Sequence, residues 1–301
     1  MIKIAYHHLY AHPLPEGHRF PMLKYELIPA QLLHEGIIEP HHLFSPEPIN
    51  EQTILLTHDA QYWAQLRDLT LPAKEQRRVG FPLNAQLLER ELRITQGTID
   101  GAKYALNGGK VSFNVAGGTH HAGSNWGEGF CLLNDQAIAA NYLLHNKLCD
   151  SILIIDLDVH QGNGTAEIFE NEARVFTFSM HGEKNFPFRK ERSNLDIPLD
   201  DGVQDEEYLS LLNQQLEIAF DSAKPDFVFY LSGVDVLSTD KLGKIALSKS
   251  ACKERDRMVI QTCKTAGLPM QISMGGGYSE HIRDIVDAHC NTYKVAFDIF
   301  S

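Results

Sequence analysis

The stretch Ile152-Leu-Ile-Ile-Asp-Leu-Asp-Val-His160 is the most informative segment of this chain. It begins with the apolar run of a buried strand and ends with Asp156, Asp158 and His160 at alternate positions. Side chains two apart on a strand point to the same side, so these three would project together where the strand ends. Two carboxylates and an imidazole suit a divalent metal better than a hydrophobic core. The stretch therefore predicts a metal-dependent hydrolase.

Around this stretch, short apolar runs alternate with longer amphipathic ones, which is typical of parallel strands joined by helices. We predict one α/β domain over residues 1–301, a doubly wound, mainly parallel sheet flanked by helices. The predicted strands are 2–6, 53–56, 111–115, 152–156, 174–179, 226–231 and 269–274. The predicted helices are about 22–35, 59–68, 84–107, 134–146, 164–170, 205–223, 250–266 and 278–290. Segment 181–204 lacks periodicity and is predicted to be a long surface loop.

Four chemically unusual segments each follow a predicted strand: 117–129, 156–164, 232–235 and 275–278. In an open parallel sheet, ligands bind in the crevice outside the carboxyl ends of the strands. The active site is therefore expected there, with all four segments converging on it.

A catalytic zinc usually takes three ligands from the protein. Asp158 and His160 would supply two, and Asp235, which follows a very apolar strand, is the natural third. The set is rich in oxygen, so Fe²⁺ and Mn²⁺ remain alternatives to Zn²⁺. Asp156 would hold a neighbouring imidazole by its N–H. Any one of these residues alone is better explained as a loop cap or as a polar residue that hydrogen-bonds within the protein. The occurrence of the whole set at matching strand ends favours a metal site.

The paired histidines His120 and His121 lie in a glycine-rich turn after a strand. One would act as a general base and the other as an acid or electrostatic partner; two half-exposed loop histidines are the alternative. Tyr278 follows three glycines and would donate a hydrogen bond to a carbonyl oxygen as that oxygen gains negative charge. The alternative is a tyrosine packed under a helix. Phe130 would line a narrow apolar channel.

Composition excludes some classes of protein. The net charge of −12 argues against nonspecific binding to nucleic acid or an anionic membrane, although it would not repel a cationic substrate. No stretch approaches the ~20 apolar residues of a membrane-spanning helix. The absence of a signal-peptide pattern and five cysteines without a Cys-x-x-Cys pair together predict reduced thiols in the cytoplasm.

Taken together, these segments resemble the histone deacetylase family, within the arginase–deacetylase superfamily. The motifs that carry the resemblance are Gly118-Thr-His-His-Ala122, Gly129-Phe-Cys-Leu-Leu-Asn-Asp135, Asp156-Leu-Asp-Val-His-Gln-Gly-Asn-Gly164, Gly276-Gly-Tyr278, and Ser232-Gly-Val-Asp-Val-Leu237 with Asp240-Lys-Leu-Gly243. The resemblance covers nearly the whole chain. It looks closest to the class IV branch and its bacterial relatives.

The resemblance implies a zinc-dependent hydrolase that removes an acyl group, acetyl or longer, from a lysine-like amine. It implies that His120, held by Asp156, and His121 form the acid–base pair, that Tyr278 polarises the carbonyl, and that the acyl channel includes Gly129 and Phe130. The zinc ligands would be Asp158, His160 and Asp235. A structural K⁺ or Na⁺ would be bound by Asp156, Asp158, His160, Ser179 and Met180.

One residue departs from the family pattern: Asn163 stands where the best-known members have aspartate. A neutral amide raises the pKa of His121 less than a carboxylate would, which leaves open which histidine is the base. The alternatives are an acetylpolyamine or other small-amide amidohydrolase, an arginase-like enzyme with two Mn²⁺ ions, and a catalytically silent acyl-lysine binding module. The sequence leaves open the acyl chain length, the choice between protein and small-amine substrates, and the oligomeric state.

Overall fold

One parallel sheet of eight strands runs through the computed structural model, which describes residues 1–300. Its order is β2-β1-β3-β8-β7-β4-β5-β6, and every neighbouring pair is parallel. The strands are β1 Lys3–Ala5, β2 Leu43–Phe44, β3 Val111–Asn114, β4 Ile152–Asp156, β5 Val175–Gly182, β6 Leu195–Leu199, β7 Phe227–Ser232 and β8 Met270–Met274. The predicted α/β class with a parallel sheet is confirmed.

Helices connect the strands and flank the sheet. They are α1 Lys24–His34, α2 Glu51–Ile54, α3 Ala60–Arg67, α4 Ala73–Val79, α5 Ala85–Tyr104, α6 Asp135–His145, α7 Asn163–Phe169, α8 Asp205–Ala223, α9 Lys249–Ala266 and α10 Ile282–Phe300. Short 3-10 turns lie at His8–Tyr10 and Pro40–His42, and a π turn follows α5 at Ala105–Gly109. Helix α5 packs against β1, β3 and β8, and α8 against β4 and β5.

The four central strands, β3, β8, β7 and β4, are buried along their whole length. Because helices cover both faces of a parallel sheet, these strands meet no water. Strands β4 and β7 are accordingly almost continuous apolar runs, whereas β3 and β8 carry buried polar side chains at alternate positions. This explains why β4 and β7 are the easiest strands to predict. It also means that the polar residues just beyond each strand mark the edge of the core.

Three predictions of local structure are wrong. Residues 53–56 are not a strand: Glu51–Ile54 is a short helix, and the Asn50 side chain caps it by accepting a hydrogen bond from the Thr53 N–H. Segment 181–204 is not one loop, because β5 continues to Gly182 and β6 lies within it. The last helix begins at Ile282 rather than at 278, which leaves Tyr278 in the preceding loop. Helix α4 was not predicted.

Within residues 1–300, no helix is both long and apolar enough to cross a membrane. The five cysteines are all free and buried.

Candidate active site

The four predicted segments meet at the carboxyl ends of the central strands. Each follows one of the strands β3, β4, β7 or β8, and these strands are neighbours in the centre of the sheet. Because all strands run in the same direction, their carboxyl ends open into one crevice. A cavity in that crevice has among its lining residues His120, His121, Asp158, Asp235 and Tyr278.

Asp158, His160 and Asp235 form a buried cluster of potential metal donors. One ligand atom from each lies within 4.8 Å of the other two. His160 Nδ1 lies 2.9 Å from Asp158 Oδ1 and 3.2 Å from Asp235 Oδ2. Among residues 1–300, no other group of three or more His, Cys, Asp or Glu side chains has this spacing. The structure therefore brings together the three residues predicted as ligands.

The chemistry of this cluster fits a divalent cation. Asp235 Oδ2 is buried and accepts no hydrogen bond, although His160 Nδ1 lies 3.2 Å from it, and a buried carboxylate oxygen without a hydrogen bond is costly. Burial, with the negative charge of Asp158, raises the pKa of Asp235 to about 7. Burial opposes the charge on His160, but the two carboxylates outweigh it and raise its pKa to about 10. The protons held by Asp235 and His160 thus offset the repulsion between the crowded carboxylate oxygens. A bound metal ion would offset the same repulsion.

The glycines after β8 let the backbone approach the cluster. The Gly276 N–H donates a hydrogen bond of 2.6 Å to Asp158 Oδ2. A Cβ atom on Gly276 would overlap Asp235 Oδ2. No other residue type fits at position 276 without displacing a donor.

His120 is fixed through its Nδ1 atom. This nitrogen lies 2.6 Å from Asp156 Oδ2, and the other oxygen of Asp156 accepts from the Asp158 N–H. Because a carboxylate accepts, Nδ1 carries the proton and Nε2 faces the donor cluster, 3.9 Å from Asp158 Oδ1. Burial opposes protonation of the ring, but the charge of Asp156 and its hydrogen bond outweigh burial and raise the pKa of His120.

His121 is fixed by a longer chain of contacts. Its Nδ1 lies 2.7 Å from Asn163 Oδ1, and Asn163 Nδ2 donates to Glu128 Oε1 at 2.6 Å. The other oxygen of Glu128 accepts from Arg78 Nε, also at 2.6 Å. Since Glu128 can only accept, the amide oxygen of Asn163 faces His121, whose Nδ1 must be the donor. Burial, followed by the charges of His120 and His160, lowers the pKa of His121 well below its ordinary value.

Tyr278 is positioned by contacts to its backbone and loop. Its N–H donates a 2.6 Å hydrogen bond to Asp240 Oδ2, and the other oxygen of Asp240 accepts from the N–H groups of Leu242 and Gly243. Lys24 is buried and donates from Nζ to the Gly275 carbonyl. Burial, with the charges of Asp235 and Asp158, raises the pKa of Tyr278 well above its ordinary value, so the phenol keeps its proton.

Aromatic rings line the way from the surface to these groups. A cavity of about 390 Å³, here called the mouth cavity, opens over His121, His160 and Tyr278. Phe130 lies on one side, with its ring centroid 6.1 Å from that of Tyr278. Phe186 lies on the other, edge-on to His121 at 5.0 Å. Gly129, at φ +55°, also lines the cavity. The structure places Gly129 and Phe130 on the lining of the mouth cavity, and binding of an acyl chain there stays a prediction.

Of the residues predicted to bind a monovalent cation, Asp156 lies on β4, Ser179 and Met180 lie on β5, and Asp158 and His160 follow the end of β4. The register of β4 and β5 pairs Asp156 with Ser179, and Met180 follows it in the core. Ser179 Oγ lies 3.0 Å from His181 Nδ1. Binding of K⁺ or Na⁺ at this position stays a prediction.

Sequence reasoning missed three residues of this site. Lys24 comes from a segment far along the chain that the fold brings to the strand ends, Glu128 lies within the predicted segment 117–129, and Phe186 lies in a segment predicted to be a featureless loop. Glu128 could have been suspected, because it precedes the Gly129-Phe130 motif and is the only acidic residue between Gly117 and Leu133. A buried lysine such as Lys24 gives no sign of its burial in the sequence.

Comparisons with known proteins agree with this geometry. The model of the histone deacetylase domain matches residues 18–293. An uncharacterised protein of Picosynechococcus is 44% identical over 297 residues, 99% of each chain. Histone deacetylase 2 of Arabidopsis thaliana is 28% identical over 87% of this chain and 70% of its own length. A crystal structure of a histone deacetylase homologue from Aquifex aeolicus is 25% identical, with a TM-score of 0.83 over 98% of this chain and 84% of that one. The chain belongs to the histone deacetylase family.

Proposed function

We propose that this chain is a metal-dependent deacylase that hydrolyses the amide bond between an acyl group and a lysine-like amine, most simply in acetyl-lysine. One observation carries the proposal. Three metal donors, two histidines anchored through Nδ1 and one tyrosine converge on a single cavity with an aromatic approach. Membership of the histone deacetylase family supports hydrolysis of an acyl amide.

Asp158, His160 and Asp235 would hold one divalent ion, with Zn²⁺ as the proposed metal and Fe²⁺ as the alternative. Bound there, such an ion supplies Lewis acidity that polarises a carbonyl and makes water more acidic. The donor set favours one ion over the two Mn²⁺ of an arginase-like enzyme, because residues 1–300 offer no second cluster of donors. K⁺ or Na⁺ beside Asp156, Ser179 and Met180 would have a structural role.

The two histidines are suited to different steps. His121 has a lowered pKa and an unprotonated Nε2, so it would take a proton from the attacking water. His120 has a raised pKa and is held by Asp156, so it would give its Nε2 proton to the amine as the C–N bond breaks. The amine then leaves without a negative charge on nitrogen. We therefore propose His121 as the base and His120 as the acid.

Tyr278 would stabilise the carbonyl oxygen as it gains negative charge. Its raised pKa keeps the hydroxyl protonated, and Asp240 fixes its backbone. Phe130 and Phe186 would exclude water from the acyl chain between them. All proposed catalytic groups and metal donors are present, which argues against a silent acyl-lysine binding module.

Three further proposals concern the branch of the family, the domain organisation and the cellular compartment. We place the enzyme with the class IV branch and its bacterial relatives, because of the motifs at Asp156–Gly164 and Asp240–Gly243, and treat residues 1–301 as one deacetylase-like domain. Five buried, unpaired cysteines suit a reducing compartment such as the cytoplasm.

The test is hydrolysis of lysine peptides carrying acyl groups from acetyl to long fatty acids, after analysis of bound metal. We expect one divalent ion per chain and chain-length-dependent hydrolysis. Tyr278→Phe should lower kcat/KM by about a hundredfold or more, because it removes the donor to the oxyanion. Tyr142→Phe, a partly exposed tyrosine on α6, is the matched control and should keep full activity.

Two outcomes would overturn the proposal. Two Mn²⁺ ions per chain would favour the arginase-like alternative. Equal activity of wild type and Tyr278→Phe on every peptide would remove the proposed oxyanion donor from the mechanism.

A further inference from the structure

The rim of the mouth cavity is lined by cations. Arg19, Arg78, Lys184 and Lys244 all lie on its lining and all are exposed. Among the described residues, no aspartate or glutamate lines this cavity. The sign of this local charge is opposite to the net charge of −12 on the whole chain. The net charge of the chain therefore does not predict the charge that a substrate meets at this cavity.

Nearby carboxylates compensate for only part of this charge. Glu128 pairs with Arg78, but Glu128 is buried and its other oxygen accepts a hydrogen bond from Asn163. Asp201 lies between the two lysines, 4.0 Å from Lys184 Nζ and 3.8 Å from Lys244 Nζ. All three side chains are well exposed, so these pairs are weak. Two carboxylates against four cations leave positive charge at the rim.

The fourth cation, Arg19, has no ion pair within residues 1–300; its guanidinium lies 5.1 Å from the centre of the Phe130 ring. It therefore sits directly on the wall of the proposed acyl channel. An anionic group on a substrate would meet an unpaired guanidinium at this point.

The two lysines are carried on fixed backbone. Lys190 Nζ donates to the carbonyls of Glu183, Asn185 and Pro187, which closes the loop that bears Lys184. The Asn185 side chain donates to the Leu242 carbonyl and accepts from the Lys244 N–H. The segments bearing Lys184 and Lys244 are thus tied to each other, and their charges stay at the rim.

The size of the rim favours a peptide over a small amide. Phe188 is 90% exposed and lies beside Phe186, so the apolar wall continues outward beyond the channel. A small acylated amine that fills only the channel would not reach this surface. A peptide segment on either side of an acyl-lysine would cover it.

We propose that the preferred substrate is an acyl-lysine flanked by acidic residues in a peptide or protein, and that acylated polyamines are disfavoured. This inference rests on the proposed deacylase function. Uncompensated rim charges attract an oppositely charged partner, speed its association and repel a partner of like charge. A polyamine carries its remaining ammonium groups to the same rim, where they would meet four cations.

The experiment uses the metal-loaded enzyme and three acetyl-lysine peptides that differ only in their flanking residues, which are Asp, Asn or Lys. N-acetylated spermidine is the fourth substrate. At about 20 mM NaCl we expect kcat/KM to fall about tenfold from the Asp to the Asn peptide and again to the Lys peptide. Acetylspermidine should be the poorest. At about 300 mM NaCl these differences should largely disappear, because exposed charges are screened.

The variant Lys184→Gln/Lys244→Gln should reduce the ratio of kcat/KM for the Asp peptide to that for the Lys peptide by about tenfold. The matched control is Lys103→Gln/Lys264→Gln, which changes the net charge equally. Lys103 and Lys264 lie near the ends of α5 and α9, which lead into the amino ends of β3 and β8, away from the mouth. The control should leave the ratio unchanged.

Binding of the same peptides to metal-loaded Tyr278→Phe, followed by fluorescence anisotropy, separates this inference from the proposed function. Tighter, salt-sensitive binding of the Asp peptide without hydrolysis by wild type would support the cationic rim and overturn the deacylase. Hydrolysis with equal kcat/KM for all three peptides, or a preference for acetylspermidine, would overturn only the proposed substrate class.

Discussion

Asn163 stands where the resemblance predicts an aspartate, and its contact with Glu128 offers a physical account of the difference. Asn163 Nδ2 lies 2.6 Å from Glu128 Oε1, a distance at which two carboxylates could not both be ionised. The amide transmits the orienting effect of Glu128 to His121 without bringing a negative charge into contact with the ring. The chain thus has a carboxylate behind this histidine, one residue further away than in the family pattern.

We expect Asn163→Asp alone to destabilise the protein by about 2 kcal/mol, because it places two buried carboxylates side by side. Asn163→Asp with Glu128→Gln should recover stability, since the amide and the acid then simply exchange positions. In the double variant a carboxylate touches His121 and raises its pKa. The acidic limb of the kcat/KM profile should therefore move to higher pH, as the base becomes protonated sooner on acidification.

Thermal unfolding and pH–rate profiles of wild type, both single variants and the double variant check this coupling. If Asn163→Asp is as stable as wild type, Glu128 does not act as the neighbouring charge. If the double variant recovers stability but the acidic limb of its kcat/KM profile does not move, the limb reflects protonation of a group other than His121.

At this scale the sequence predicted the donors and the acid–base pair but not the residues that orient them. Asp158 and His160 could be predicted because a buried strand rarely ends in such side chains. Lys24 could not, because its role depends on which distant segment the fold brings against it. Glu128 could be suspected from its place beside Gly129 and Phe130, but its contact with Asn163 could not.

Among the elements, the loop after β8 does the most to assemble the site. Lys24 holds the Gly275 carbonyl, the Gly276 N–H holds Asp158, and the Tyr278 N–H is held by Asp240. Three contacts over four residues thus connect the metal donors to the proposed oxyanion donor. A change in this loop should affect metal binding and catalysis together.

We expect Gly276→Ala to weaken metal binding by about a hundredfold, because the new Cβ would occupy the space of Asp235 Oδ2. Gly202→Ala is the control: its Cβ would meet nothing within 4 Å, so only the left-handed backbone at φ +84° is strained. Metal content after dialysis, with circular dichroism to verify folding, measures the effect. A folded Gly276→Ala protein that retains its full metal content would contradict this role of the loop.

The elements that sequence analysis missed lie at the periphery of the sheet. Strand β6 forms one edge of the sheet and contains Pro198, a residue that edge strands tolerate and that argues against a strand in the sequence alone. Residues 53–56 are apolar enough for a buried strand, but periodicity cannot separate such a short run from one turn of buried helix. Strands β4 and β7 lacked this ambiguity because they are longer, almost wholly apolar and followed by polar residues.

At the scale of the molecule, the strand order concentrates charge at one place. The neighbouring strands β8, β7 and β4 all end at the donor cluster, and the two carboxylates gathered there raise the pKa of His160. Folding without a metal must bury this charge. The stability of the whole chain should therefore depend on pH and on metal occupancy together.

For the metal-free protein, the direction in which stability changes with pH follows from two groups. The pKa of Asp235 is raised from 3.8 to about 7, so the folded state holds a proton that the unfolded state has lost, and stability falls as pH rises through this range. The pKa of His160 is raised from 6.5 to about 10, so its contribution is fully present below pH 6.5 and is lost as pH rises towards 10. Both groups make the metal-free protein less stable at higher pH.

A divalent ion bound at the donor cluster would take the place of these protons, so the stabilisation it provides should increase with pH. We expect the difference in Tm between metal-loaded and chelator-treated protein to grow by roughly 5 °C between about pH 5.5 and about pH 8. Asp235→Asn is the control: it removes one of the two titrating groups and a donor, so metal should add little to its Tm and the pH dependence should be shallower. A metal-induced shift in Tm that is the same at every pH would mean that the ion does not displace protons from Asp235 and His160, and that it binds elsewhere.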